Sequence, residues 1–166
     1  MRSSQIGAVL ICLAAAAGSG CTQQLVAESS ACRNLVYKNG EVPRAEYLPC
    51  VGETMAVLDE LDKQTEAALG GDRKARSAGR SSLRQLIALR QLAGGMQLLE
   101  RRNDKTLVSL NVDIHNALTH YDAFYMLPIL KEPDPFAQKS FDAAKAELDG
   151  GHRNYLEASR LYRFLK

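Results

Sequence analysis

Between Asn111 and Asp122 the chain sets His115 and His120 among Asp113, Asp122, Asn111 and Asn116. Imidazoles and carboxylates this close can hold a transition metal, or a carboxylate can orient a histidine as the general base of a hydrolytic site. Helical metal sites space their ligands three or four residues apart, and here the histidines are five apart. At about 100° per residue their rings point about 140° apart, so one ion cannot take both from this helix alone. A metal would need a further ligand, and His152 is the only other histidine. His115 and Asp122 lie two turns apart on one side of the helix, half of a hydrolytic site. No GxSxG elbow or comparable nucleophile signal accompanies them. The plain reading is a polar flank beside the apolar stripe of Ile114, Ala117, Leu118, Tyr121 and Tyr125. The expectation is no catalytic residue, no metal and no cofactor, with His115, Asp122 and His120 as the candidate polar cluster.

A second constellation is cationic. Arg73, Arg76, Arg80 and Arg84 line one side of a helix, and from Arg73 to Arg90 no acidic residue occurs. Arginine forks suit phosphates and carboxylates, so a polyanion or a lipid headgroup is one class of ligand. The preceding helix offers an internal answer in Asp59, Asp62 and Glu66. A hairpin folded at Gly70-Gly71 would pair Glu66 with Arg76, Asp62 with Arg80 and Asp59 with Arg84. Intramolecular pairing is the expected outcome, each exposed pair contributing about 0–1 kcal/mol. With 21 basic against 19 acidic side chains, the net charge of +2 is too small to favour nucleic acid.

These residues must be positioned by helices. Val51, Met55, Leu58, Leu61, Thr65 and Leu69 recur at helical steps, and Gly70-Gly71 closes the run. Asp72 is placed to cap a second helix that is expected from Arg73 towards Arg102, bent at Gly94-Gly95. Its small residues Ala75, Ala78, Gly79 and Ser82 would admit a close neighbour. A third helix is expected over Thr106–Met126. Asp134 and Pro135 signal the start of a fourth, and "DGGH" separates it from a last helix holding Tyr155, Ala158, Tyr162 and Leu165. No alternating β-branched run is long enough for a strand core. The fold class is all-α: an antiparallel bundle of four to five helices over residues 32–166.

The N-terminus is of a different kind. Arg2 precedes the uncharged run Ile6–Ala17, whose 12 residues are too few to span a bilayer. A short apolar run behind a basic residue reads as a secretory signal. Its end, "AAAAGSGC", resembles the processing site of bacterial lipoproteins, with Ser19 and Gly20 before Cys21. The resemblance implies a signal peptide over 1–20 and a lipidated Cys21 as mature N-terminus. It also implies anchorage in the cell envelope, with Thr22 directing the protein to the outer membrane facing the periplasm. An A-x-A pattern ending at Ala17 offers ordinary cleavage as the alternative.

Cysteine arithmetic bears on this. Of the four cysteines, Cys12 would leave with the signal. Acylation of Cys21 then leaves Cys32 and Cys50 to form a disulfide, which an oxidising compartment permits. Residues 21–31 read as the lipidated cysteine and a polar tether. The expected protein is a lipid-anchored, non-enzymatic module that binds another envelope protein. The alternatives are a carrier of an amphiphile or polyanion, and a small hydrolase or metal protein using His115 and Asp122.

Overall fold

The computed structural model describes residues 26–36, 42–93, 104–127 and 135–166. Among these residues four helices form: α1 (Arg44–Leu69), α2 (Arg73–Leu92), α3 (Lys105–Met126) and α4 (Pro135–Leu165). No strand occurs among the described residues. Each helix packs on two others: α1 on α2 and α4, α3 on α2 and α4. Arg44 donates to the Leu165 carbonyl at one end of the α1–α4 pair, and His152 meets Asp62 farther along, so the two run antiparallel. The result is the all-α antiparallel bundle expected, with four helices in a closed square. No helix among the described residues is long and apolar enough to cross a membrane.

α1 begins seven residues before Val51, and Tyr47 and Cys50 extend its buried stripe. Pro49 is accommodated near the helix start. Two buried threonines on this stripe satisfy themselves locally: the Thr54 hydroxyl donates to the Cys50 carbonyl (2.9 Å) and Thr65 to that of Asp62 (2.6 Å). The α1–α2 turn follows the sequence closely. Gly71 has φ of 86°, the left-handed region a side chain would resist. The Asp72 carboxylate accepts from the amides of Lys74 (2.7 Å) and Ala75 (3.2 Å), capping α2. Asp104 caps α3 in the same way through the Leu107 amide (3.1 Å).

Helix α2 is continuous to Leu92, and its expected extension towards Arg102 with a bend at Gly94-Gly95 lies outside the described residues. Two expectations are corrected. "DGGH" does not break the chain, because α4 is a single helix of 31 residues. A β-carbon on Gly151 would come within 2.5 Å of the Tyr121 ring, and one on Gly150 within 2.8 Å of the His120 ring. The glycine pair is a notch for α3, and packing there outweighs a propensity cost of about 1 kcal/mol per glycine.

The tether is the second correction. Val26 and Ser30 are buried against the bundle, while Ala27, Glu28 and Ser29 between them are exposed. The Ser30 hydroxyl and the Ala31 amide both donate to the Glu53 carboxylate of α1, at 2.6 and 2.8 Å. Cys32 and Cys50 form the expected disulfide, with both residues buried. In the chain-entropy account this closure stabilises the fold by about 3 kcal/mol. The predicted signal, Cys21 and the cap at Asp134 lie outside the described residues.

Candidate functional site: the cleft between α2 and α3 and the polar seams beside it

The two polar flanks of α3 face different neighbours. His120 and Asp113 look towards α4; His115 and Asp122 look towards α2. His120 Nδ1 lies 2.7 Å from Glu147 Oε2 of α4. The Asp113 carboxyl is pushed above its usual range, first by burial and then by Glu157 of α4, with Arg160 acting in the opposite sense. His115 is exposed, and its imidazole is held below the usual histidine range, first by desolvation and then by Arg90 of α2. His115 and Asp122 are about 10.5 Å apart along the helix axis, and no hydrogen bond joins them. The hydrolytic pairing therefore does not assemble. Among the described residues no three His, Cys, Asp or Glu side chains gather as metal ligands.

Asp122 instead lines a cleft of about 360 Å³ between the C-terminal halves of α2 and α3. Ile87 and Leu118 form its apolar surface, and Arg90, Gln91, Thr119 and Asp122 its polar one. This is where the α2–α3 seam, the loosest in the bundle, opens. At its other end the seam is closed by the ring of Tyr125, which lies against Gly79. Thr119 donates its hydroxyl proton to the His115 carbonyl (2.9 Å), which leaves its oxygen able to accept from a ligand. Neither Arg90 nor Asp122 has a hydrogen bond or ion pair among the described residues. Sequence reasoning found Asp122 and missed its companion. Arg90 lies six positions beyond Arg84, about 120° away from the arginine stripe, and that departure was the available signal.

The arginine stripe meets a helix end, not a row of acids. Arg76 Nη2 donates to the carbonyls of Tyr125 and Leu127, and Arg80 Nη2 to that of Tyr125 (3.2 Å). The Arg76 guanidinium also stands 5.7 Å from the Phe124 ring centre and 5.8 Å from that of Tyr125. Two cations thus satisfy the last carbonyls of α3 and face the negative end of its dipole. Burial, then the charge of Arg80, lowers the Arg76 pKa. The three expected interhelix pairs, Glu66–Arg76, Asp62–Arg80 and Asp59–Arg84, do not form. Each helix of a square bundle has two neighbours: Asp59 and Asp62 of α1 meet α4, while Arg76 and Arg80 of α2 meet the end of α3.

The acids have their own partners. Asp62 accepts from the buried Tyr121 hydroxyl of α3 and from His152 Nδ1 of α4, at 2.9 Å to one oxygen and 3.1 Å to the other. Asp59 accepts from the Tyr155 hydroxyl (2.6 Å) and pairs with Lys63, and these bonds hold its carboxyl below the usual range. Burial, then the bond to Asp62, pushes the Tyr121 phenol far up. His152–Asp62 and His120–Glu147 are each a histidine held by a carboxylate. Among the described residues neither histidine has a serine, threonine or cysteine on its other nitrogen. These contacts tie α1, α3 and α4 in register.

Comparison with protein-family models, with curated proteins and with solved structures returned no match. The described residues are thus defined by their own geometry: an all-α four-helix bundle with the Cys32–Cys50 disulfide and a bipolar cleft on the α2–α3 side.

Proposed function

We propose that this chain is an exported, lipid-anchored, non-enzymatic binding module of the bacterial cell envelope, acting as an adaptor that docks another envelope protein. The observation that carries the reading is the buried Cys32–Cys50 disulfide. Disulfides persist in oxidising compartments, and this one accounts for both cysteines of the mature bundle. Cys21 is then left over behind an apolar leader, where the lipoprotein resemblance calls for acylation. Labelling cells with an alkyne palmitate analogue and fractionating their membranes tests it. Wild-type protein should take the label and sediment with outer membranes, and Cys21→Ser should do neither. Unlabelled wild-type protein, or equal sedimentation of the two forms, would defeat the anchor.

A second reading, a carrier of a small ligand, is favoured by the cleft. Its apolar floor between an arginine and an aspartate, neither of them paired among the described residues, has the make-up of a binding pocket.

A further inference from the structure

We infer that the α2–α3 cleft binds a free apolar amino acid or short peptide in its zwitterionic form, with the carboxylate on Arg90, the ammonium on Asp122 and the apolar side chain between Ile87 and Leu118. This makes the carrier reading specific to its ligand, and it stands whether or not Cys21 carries a lipid.

The charges argue for a bipolar ligand. Arg90 projects from α2 and Asp122 from α3, so they stand on facing walls of one cleft. They are not within ion-pair distance of each other, and no other described residue neutralises either. An anion seated on Arg90 alone would face the Asp122 carboxylate, and a cation on Asp122 alone would face the guanidinium. A molecule carrying both charges satisfies both walls. His115, beside Arg90 and depressed in pKa, stays neutral near pH 7 and does not compete for the carboxylate.

Size and polarity narrow the class. A volume of about 360 Å³ lies at the small end of ligand pockets, which suits a small solute better than a two-chain lipid. Leu118 is buried beneath the opening and Ile87 half-buried beside it, so the floor takes an apolar side chain. Gln91 can donate to and accept from a peptide bond, and the Thr119 oxygen can accept. An internal segment of a partner protein would bring no free termini, and so would leave both charges unmet.

The test is titration calorimetry on the full chain with leucyl-leucine in four forms: free, N-acetylated, C-amidated, and blocked at both ends. The free dipeptide should bind tightest. Removing either charge should cost about tenfold in affinity, the worth of one charge-assisted bond. In Asp122→Asn, N-acetylation should no longer matter; in Arg90→Gln, amidation should no longer matter. Both side chains lie at the surface of the cleft, and circular dichroism of the variants checks that they fold. Equal binding of the free and doubly blocked peptides would overturn the proposal, and would point to a protein segment as occupant. The absence of saturable heat with all four peptides would overturn it as well. So would a uniform loss across the four forms in the variants, which is what collapse of the cleft would give.

Discussion

The hydroxyl of Tyr125 occupies the place where a β-carbon on Gly79 would sit, only 1.7 Å from its ideal position. This contact sets how closely α2 and α3 approach at their tight end, and so where the seam begins to open into the cleft. The hydroxyl is buried and has no hydrogen-bond partner among the described residues, and burial pushes its pKa to about 12.

Gly79→Ala should therefore destabilise the bundle. Alanine gains about 1 kcal/mol in helix propensity, but the overpacking it forces costs more, so a net loss of about 1–3 kcal/mol is expected in urea unfolding. Tyr125→Phe should be close to neutral, because it removes an unsatisfied hydroxyl. The double variant should recover part of the loss and not all, since the ring carbon bearing the hydroxyl lies 2.4 Å from the same point.

Arg76 and Glu66 make a sharper contrast. Arg76→Met removes a guanidinium from the carbonyls of Tyr125 and Leu127 and from two aromatic faces. A loss of about 1.5–3 kcal/mol follows from charge-assisted bonds, or roughly 3–12 °C in Tm for a chain of this size. Glu66→Gln should leave Tm unchanged, because Glu66 forms no ion pair among the described residues. An equal fall in both variants would restore the salt-bridge account.

Stability should fall in acid through His115 before the carboxylates titrate. Its folded pKa is depressed, so below about pH 6.5 the unfolded chain binds a proton that the folded one resists. The stability lost between that pH and the folded pKa should be absent in His115→Gln, and so should appear as a pH-dependent Tm difference between the two proteins. Arg90→Gln should raise the His115 pKa in an NMR titration only in part, since desolvation is the larger cause. Asp59, whose pKa is lowered, contributes stability above its usual range, and this is lost as pH falls through the folded value. Asp113 acts in the reverse sense: its raised pKa makes protonation at low pH stabilising.

The turn from α1 to α2, the Asp72 cap and the course of α3 were legible in the sequence because local chemistry determines them. Asp72, Gly71 and the stripe of α3 say where a helix starts, stops and buries itself without reference to any neighbour. The division of the α3 flanks was equally readable: His115 and His120 diverge as helical geometry requires, and they meet different helices. What could not be read was which neighbour each flank meets. Asp62 and Arg80 stand on a correctly folded hairpin yet turn to opposite sides of it. Gly150 and Gly151 have the composition of a breaker, and only the His120 and Tyr121 rings of α3 reveal them as a notch. The cleft depends on both kinds of information, for Asp122 belongs to a visible flank while Arg90 acquires its meaning only from the α2–α3 seam.

The segment before α1 allows a final prediction about the distance from bundle to membrane. If Cys21 is lipidated, only residues 22–25 separate it from the packed Val26, a reach of about 18 Å at most. Two devices hold that segment down, the Cys32–Cys50 disulfide and the Glu53 carboxylate that takes the Ser30 hydroxyl and Ala31 amide. Arg33 adds a bond from Nη2 to the Val26 carbonyl (2.7 Å). Trypsin should therefore cleave after Arg33 slowly in wild type. Glu53→Ala should accelerate it only modestly, because the disulfide still fixes the segment's end. The Cys32→Ser/Cys50→Ser variant should lose about 3 kcal/mol of stability but keep some protection through Glu53. Combining the three changes should raise the cleavage rate by more than the product of the separate effects, since the two holds secure the same few residues. Multiplicative rates would mean that the disulfide and Glu53 act independently, and that the packed segment is not a single unit.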